Sequence, residues 1–249
     1  MIPEGWERGK LGDYVKIRSG VAPSKIELTD DKSLGRPYVK VDDMNLCYKY
    51  QEASREYVVG GDSTIGSNAV LFPKRGAAIM NNKVRLSSVE CFIDSNMMAL
   101  EAVGSGLDPE FLYYSLVFEK LYRIADTSTI PQINNKHINP YPFALPPLRE
   151  QKKIAAILST WDKAITKTER LIETGQQQRH ALMQQLLTGT RRLPGFEKEW
   201  RLVRMGDISK RVSENNNGQS VNVVTISGKR GLIRQTDFFS KSVASETLG

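Results

Sequence analysis

The chain has 249 residues, of which 40% are hydrophobic and 25% are charged, the composition of an ordinary globular protein. No apolar run approaches the roughly 18 residues of a membrane-spanning helix, and the first residues lack the pattern of a secretory signal, so no membrane association and a cytoplasmic location are expected. The net charge of +7 favours a polyanionic partner such as nucleic acid, although many cytosolic proteins are mildly basic without one.

Cysteine and histidine usage argues against a disulfide framework and against a metal centre. Cys47 and Cys91 both lie in apolar surroundings, which is typical of buried thiols in a reducing compartment; a single disulfide is the alternative. His137 and His180 are far apart in the chain and no cysteine cluster accompanies them, so no metal site is expected.

The first 145 residues are predicted to form a mixed, strand-rich domain. Short apolar runs alternate with glycine-containing turns, which is typical of strands joined by tight connections. These runs are 38–41, 57–59, 69–72 and 83–86. A helix is predicted at 108–123, because Asp108 supplies an N-cap and Pro109 a first-turn proline. The five prolines between 131 and 147 then predict an extended surface segment.

A long amphipathic helix is predicted from about 148 to 187. Apolar side chains recur there at steps that alternate between three and four residues, which is the heptad pattern of a coiled coil. They are Ile154, Leu158, Trp161, Ile165, Ile172, Leu182 and Leu186, with Thr168, Gly175 and Arg179 at the remaining positions. Such a helix is about 60 Å long, ends before Gly189 and needs a partner helix to cover its apolar side.

An internal repeat links the start of the chain to the residues after this helix. The repeated motif is a Trp followed by Gly-Asp, with a basic and an apolar residue between them. Its two copies have the same spacing: Trp6, Gly12 and Asp13, then Trp200, Gly206 and Asp207. A shorter similarity links 53–56 to 244–247. The repeat predicts a duplicated module whose second copy, from about 196 to 249, is incomplete.

No segment has the pattern of an enzyme active site. The Asn-Pro-Tyr-Pro-Phe sequence at 139–143 differs in order from the Asn-Pro-Pro-aromatic loop of amino-group DNA methyltransferases, and no glycine-rich cofactor turn follows a strand. The Glu-Gln-Lys sequence at 150–152 contains a nuclease-like Glu-x-Lys, but it lies at a helix start, where charges near the first turn explain it better. The chain alone is therefore expected to be non-catalytic.

Both ends of the predicted helix closely resemble the conserved spacer helix of type I restriction–modification specificity subunits. The resemblance is carried by Leu-Pro-Pro-Leu-Arg-Glu-Gln, which begins at Leu145, and by Leu-Leu-Thr-Gly-Thr-Arg-Arg-Leu-Pro-Gly-Phe at 186–196. The two Trp…Gly-Asp motifs, the Arg75-Gly76 turn and the loop at 131–134 also match. The resemblance covers residues 1–249; it is specific in the helix and looser in the first domain.

The resemblance implies an α/β (α+β) target recognition domain with mixed or antiparallel strands at 1–146, a coiled-coil-forming spacer helix at 147–190, and a truncated second recognition module at 191–249. In this family each recognition domain reads one half of a split double-stranded DNA site, and antiparallel helices fix the gap. Methyltransferase subunits dock on the helices, and a translocating restriction subunit joins for cleavage. S-adenosylmethionine, ATP and Mg²⁺ are expected only on those partners, with no cofactor in this chain.

The polar loops of the first domain hold the candidate DNA contacts. Amide side chains can pair with base edges, and Lys or Arg can neutralise phosphates. The candidates are Ser128, Thr129, Gln132, Asn134, Asn135, Lys136 and His137, then Asn81, Asn82 and Lys83, then Arg18, Ser19, Lys25 and Lys40. The alternative at each position, and at the neighbouring Lys74 and Arg75, is an ordinary polar loop or a solvated surface charge.

Compared with the family pattern, the sequence is expected to lack most of the second domain and the whole second helix. A second copy of the chain, or another specificity chain, is the expected substitute, and two-fold symmetry then predicts a palindromic DNA site. Two alternatives remain open. One is a regulatory protein that occupies methyltransferase subunits or intact specificity subunits without reading DNA, and the other is a stand-alone enzyme.

Overall fold

The computed structural model describes residues 3–62, 64–212 and 223–239. Its contacts divide the chain into two compact units, Met1–Gln177 and Gln178–Gly249. No helix in the described part of the chain is long and apolar enough to cross a membrane.

The strands of the first unit form three sheets. They are β1 (Glu7–Lys10), β2 (Val15–Ser19), β3 (Leu28–Thr29), β4 (Arg36–Val39), β5 (Tyr50–Gln51), β6 (Tyr57–Val58), β7 (Val70–Pro73), β8 (Arg85–Ser87), β9 (Phe92–Ile93), β10 (Met97–Ala102) and β11 (Pro142–Leu145). The largest sheet has the order β2-β10-β7-β8-β5, the second has the order β3-β6-β4-β9, and β1 pairs with β11. The pairs β4–β9 and β5–β8 are parallel and the others antiparallel, so the predicted mixed class is confirmed.

Seven α-helices accompany the strands in the described residues. They are α1 (Leu11–Tyr14), α2 (Ala77–Met80), α3 (Pro109–Glu119), α4 (Leu121–Ile124), α5 (Asn135–Ile138), α6 (Leu148–Leu187) and α7 (Met205–Ile208). The long helix α6 has 40 residues and the bounds that its heptad pattern predicts. Gly189 follows it with a φ of 75°, the left-handed conformation expected at a helix end. In the second unit a hairpin pairs β12 (Val224–Ser227) with β13 (Gly231–Arg234).

The five-stranded sheet is buried on both of its faces. Consecutive strand residues point to opposite faces, so Phe72 of β7 and Met98 of β10 join the core that includes α3, while Leu71 and Met97 join a second core. This two-sided burial explains why β7 and β10 appear in the sequence as continuous apolar runs instead of alternating ones.

The helix predicted at 108–123 is confirmed at its start and interrupted near its end. The carboxylate of Asp108 accepts a hydrogen bond of 3.0 Å from the backbone N–H of Phe111, which is an N-cap. The helix breaks at Lys120, whose φ of 64° is left-handed, and α4 continues beyond it. Asn82 stabilises the break: its amide donates to the Val117 carbonyl and accepts from the Leu121 N–H, each at 2.9 Å.

The prediction of an extended surface segment at 131–147 is wrong in part. This stretch contains the helix α5 and the strand β11, and four of its apolar side chains are buried. They are Ile133, Ile138, Phe143 and Leu145. The prolines indicate where regular structure stops, but the apolar residues between them bury against the first core. Pro142 is tolerated because it is the first residue of a strand in a two-stranded sheet.

Both cysteines are free thiols in the structure, and only one of the two is buried as predicted. Cys91 is buried and Cys47 is half-buried. Burial raises the pKa of the Cys91 thiol to about 12, so it stays protonated at neutral pH.

The internal repeat has a matching local structure in its two copies. The backbone N–H of Lys10 donates to the Asp13 carboxylate ahead of α1, and the N–H of Arg204 donates to the Asp207 carboxylate ahead of α7, both at 3.2 Å. Each aspartate therefore caps a one-turn helix in the same way. The second predicted similarity, at 244–247, lies outside the described residues.

Gly20 lies where the chain leaves β2 and passes the turn after β9. A Cβ atom there would lie 1.9 Å from the Asp94 carbonyl oxygen, and Asp94 is held in a bridge to Val21. We expect Gly20→Ala to lower the free energy of unfolding by about 3 kcal/mol, measured by urea denaturation. Gly106→Ala is the control, since its Cβ meets nothing within 4 Å; equal stability of the two variants would contradict the steric argument.

Candidate nucleic-acid interface

One end of the five-stranded sheet gathers several of the predicted loops. Ser19 at the end of β2 pairs with Met98, and Met97 at the start of β10 pairs with Pro73 at the end of β7. β8 begins near the same end, because Arg85 pairs with Leu71. The segments that enter and leave these four strands are therefore neighbours, although they are far apart in sequence.

Backbone hydrogen bonds hold these segments together. The N–H of Lys74 donates to the Asn96 carbonyl at 2.8 Å, and the N–H of Ile133 donates to the Lys74 carbonyl at 2.9 Å. The N–H of Gly76 donates to the Pro131 carbonyl, also at 2.9 Å. The segment at 74–83 and the loop at 127–137, both predicted from sequence, thus lie side by side.

Gln132 is at the centre of this arrangement. Its backbone forms bridges with Arg75 on one side and with Asp126 on the other. No hydrogen bond joins its side-chain amide to another residue in the described part of the chain. We define the polar sheet end as the surface formed by Ser19, Lys74, Arg75, Asn96 and Gln132. Its backbone is fixed by the sheet, whereas the Gln132 amide remains available to a ligand.

Most of the remaining predicted contacts flank the polar sheet end. Exposed side chains in the two loops are Asn81, Ser128, Thr129, Asn135 and Lys136, and half-buried ones are Lys83, Asn134 and His137. His137 shapes its own loop, because its Nδ1 accepts a hydrogen bond of 3.1 Å from the Asn134 N–H at the start of α5.

Four residues that were candidate DNA contacts lie away from the polar sheet end or bond to other parts of the domain. Arg18 donates to the Thr64 carbonyl at 2.9 Å and pairs with Glu101 at 3.9 Å, so it reaches back along the sheet. Lys40 forms an ion pair with Glu56, and the Asn82 amide forms hydrogen bonds that stabilise the break between α3 and α4. Lys25 is exposed at the end of a 3-10 helix, Pro23–Lys25. The structure gives three of the four a structural role that the sequence did not predict, and their DNA contacts stay predictions.

Asp94 and Asn96 also shape this end of the sheet, although no sequence motif indicates them. The Asp94 carboxylate accepts from the Asn96 backbone at 3.0 Å, from the Asn96 amide at 2.9 Å and from the Tyr38 hydroxyl at 3.1 Å. Burial opposes ionisation of Asp94, but these hydrogen bonds outweigh it and lower the pKa of the carboxyl. The only sequence signal is a short polar Asp-Ser-Asn turn between two apolar runs, and Asp94 fixes this turn beside Lys74.

The charge at this end of the sheet is mainly positive. Lys74, Arg75, Lys83 and Lys136 lie on the two joined loops, whereas the acidic groups nearby are committed to local hydrogen bonds. The backbone N–H of Ser128 donates to Asp126 at 3.0 Å and lowers the pKa of that carboxyl. Amides on a rigid backbone beside free cations can read base edges and neutralise phosphates.

The apolar side of α6 forms a second candidate surface. In this single chain Trp161 is 66% exposed, Ile165 46% and Ile172 56%, values far above those of core residues. Leu158 and Leu182 are exposed as well, and Ile154 and Leu186 are half-buried. An apolar surface of this extent is typical of a helix that packs against a partner, and the coiled coil stays a prediction.

Sequence comparison places these features in a known group of proteins. A family model described as the type I restriction modification DNA specificity domain matches residues 3–174. The type I restriction enzyme MjaVIII specificity subunit of Methanocaldococcus jannaschii is 26% identical over 226 residues, which is 83% of this chain and 50% of that protein. A putative MjaX specificity subunit from the same organism is 27% identical over 239 residues, covering 83% and 53%.

Solved structures agree on the fold. A chain from a study of complex assembly and conformational transition of the type I R-M system superposes with a TM-score of 0.60 at 21% identity, covering 74% of this chain and 45% of that one. The HsdS subunit from Thermoanaerobacter tengcongensis gives a TM-score of 0.55 at 21% identity, covering 68% and 40%.

The chain spans about half the length of the curated relatives it matches. These relatives are named specificity subunits, which agrees with the prediction that the chain has no catalytic activity of its own. Because the matching model covers more than half of the sequence, the family that the resemblance implies is confirmed. The chain belongs to the type I restriction–modification DNA specificity family.

Proposed function

We propose that this chain recognises one half of a split double-stranded DNA site within a type I restriction–modification complex. The observation that carries the proposal is the polar sheet end, where the Gln132 amide and the cations Lys74 and Arg75 lie on a backbone fixed by the sheet in a member of a DNA specificity family. A fixed backbone matters because base reading depends on placing donors and acceptors within a few tenths of an ångström.

The chemistry divides between the two kinds of side chain. Gln132 and Asn134 carry the amides that can pair with an adenine edge in the major groove. Lys136 and Arg75 are exposed and contribute the sequence-independent attraction to phosphates. The target bases follow from the combined placement of the amides, and the affinity from the cations.

A second copy of the chain is the proposed partner for the apolar side of α6. The ten stripe positions from Ile154 to Leu186 are separated by steps of 4 and 3 residues that read the same in both directions. Two antiparallel copies with a two-fold axis beside Arg170 therefore place every stripe position opposite another one. The pairs are Ile154–Leu186, Leu158–Leu182, Trp161–Arg179, Ile165–Gly175 and Thr168–Ile172. One recognition domain then lies at each end of the pair, which predicts a palindromic site with a fixed gap.

The methyltransferase subunits are proposed to dock on the flank of the same helix. Ile157, Ala164 and Leu171 are spaced by seven residues and lie next to the stripe, and Ile157 and Leu171 are exposed. The restriction subunit joins through that complex, which we place in the cytoplasm. S-adenosylmethionine, ATP and Mg²⁺ are proposed to bind to those subunits and to supply methyl transfer, translocation and cleavage there.

Co-expression with the cognate methyltransferase subunit tests the proposal. We expect new methylation in host DNA at a palindrome whose two halves are separated by one fixed gap, mapped by single-molecule sequencing. No new methylation, together with no retention of random DNA by the assembled complex, would favour the regulatory alternative. Binding of S-adenosylmethionine by this chain alone would favour the stand-alone enzyme.

A further inference from the structure

A buried lysine connects the recognition domain to the long helix. Lys49 is only 4% exposed, yet it carries a charge into the junction between β5, α3 and α6. Its ammonium donates to the Tyr114 hydroxyl at 2.8 Å and forms an ion pair with Glu110. It also lies 4.3 Å from the ring centre of Tyr114 and 4.9 Å from that of Tyr50, a cation–π arrangement.

The network extends from this lysine to α6. The Tyr114 hydroxyl, which accepts from Lys49, donates to the Asp162 carboxylate at 2.5 Å. The Tyr50 hydroxyl donates to Glu110, so each partner of Lys49 is held from a second side. Burial raises the pKa of Tyr114 above its usual range and that of Tyr50 to about 12. Both hydroxyls therefore remain protonated donors at neutral pH.

A second contact fixes the same helix nearer its start. Gln151 is fully buried; its amide oxygen accepts from the Asp108 N–H at 2.8 Å, and its amide nitrogen donates to the carbonyls of Gly106 at 2.9 Å and Pro146 at 2.8 Å. Gln151 and Asp162 are about three helical turns apart and lie on one face of α6. One such contact would let the helix pivot, whereas two fix its direction.

The free-energy cost of burying these polar groups indicates that the network fixes the direction of α6 and does not mainly add stability. Burying the Lys49 ammonium beside the half-buried Glu110 carboxylate is often no more stabilising than apolar packing of similar volume. A polar network, however, is satisfied in only one arrangement of its members, so it selects that arrangement over others. An apolar junction would tolerate small rotations of the helix on the domain.

We propose that Lys49, Glu110, Tyr114 and Asp162, which we call the helix clamp, are positioning residues that fix the direction of α6 relative to the polar sheet end and thereby restrict the gap between half-sites. This inference rests on the proposed function. Each added base pair moves the second half-site by about 3.4 Å and rotates it by about 35°. A rigid junction rejects that displacement, and a loosened one accepts it.

Tyr114→Phe is the main test, because it removes one hydroxyl and keeps the ring over Lys49. Tyr141→Phe is the matched control: the Tyr141 hydroxyl also donates to a carboxylate, Glu119, at 2.8 Å, but it makes no bond to α6. The readout is selection from DNA in which the half-sites are separated by random gap lengths, with the methyltransferase present. We expect Tyr114→Phe to lower discrimination against neighbouring gaps by about tenfold, the effect of losing one hydrogen bond to a charged group.

The bases selected in each half-site should stay unchanged, since the clamp does not contribute to the polar sheet end. Asp162→Ala provides a second variant that leaves the interior of the recognition domain intact, and it should have the same effect. Gap selection by both variants as strict as that of the unmodified chain and of Tyr141→Phe would overturn the proposal.

A distance measurement separates the clamp from the proposed function. Spin labels at Lys32→Cys and Gln177→Cys, in a Cys47→Ser background and diluted with unlabelled chain, report the domain-to-helix distance by pulsed electron resonance. We expect one narrow distribution for the parent and Tyr141→Phe and a broadened one for Tyr114→Phe and Asp162→Ala. A broadened distance distribution in these two variants, without any DNA selection by the parent chain, would support the clamp and reject the proposed function. An unchanged distance distribution would reject the clamp.

Discussion

The double variant Ile165→Lys with Ile172→Lys is expected to be a monomer at micromolar concentration. In the proposed antiparallel pair these two side chains from each copy are covered, and each contributes about 2 kcal/mol of apolar burial. A lysine in either place also brings a charge towards the helix interface, where it lacks a partner. The dimer therefore loses the burial of four apolar side chains, two from each copy, and we expect it to dissociate completely. Sedimentation velocity measures it directly.

Thr174→Lys with Gln177→Lys is the control for that experiment. It adds the same charge to exposed positions on the outer side of α6, away from the stripe. We expect this variant to sediment as the parent does. A monomeric parent chain, or a dimer that survives both lysines in the stripe, would contradict the antiparallel pair. The stripe variant should also lose selection for paired half-sites while its recognition domain stays folded.

Gln132→Ala is expected to relax the choice of base at one position of the half-site. The amide is held on a bridged backbone and can make two hydrogen bonds to one base, so its loss should cost about 1–3 kcal/mol on the preferred DNA and almost nothing on other DNA. Fluorescence anisotropy of the complex with methyltransferase, on the preferred site and on single-base variants of it, measures this difference.

Lys136→Ala should behave differently, although it lies four residues away in the same loop. An exposed lysine on a phosphate weakens binding to every sequence alike and lowers the slope of log K against log salt by about 1. Lys153→Ala, on an exposed part of α6, is the control and should change neither property. A uniform loss for Gln132→Ala, without any change in base preference, would show that Gln132 supports the loop and does not read a base.

Local signals account for the elements that the sequence predicts well. The heptad pattern predicts α6 and its approximate ends, and the Asp108-Pro109 cap predicts the start of α3, because each depends only on neighbours within a few residues. The break at Lys120 has no local signal, since its cause, the Asn82 amide, lies almost forty residues upstream.

Long-range pairing accounts for what was missed. The prolines at 131–147 predict a surface segment because proline disfavours regular structure. The strand β11 nevertheless forms there, by pairing with β1 near the start of the chain. The same limit applies to the candidate interface. The polar loops could be identified by composition, but only the sheet registers bring Gln132 to Lys74 and Arg75. The helix clamp had no local signature, since Lys49 resembles any surface lysine in the sequence.

The pairing of β1 with β11 has a consequence for how such a protein can change over generations. Because Glu7 pairs with Leu145 and Lys10 with Pro142, the polypeptide enters and leaves the recognition domain at one place, beside the start of α6. A gene segment encoding everything between those two strands could be transplanted from a relative that keeps the contacts to α6, without redesigning the proposed dimer. New targets could thus be acquired by recombination in a single step, instead of through many destabilising point mutations.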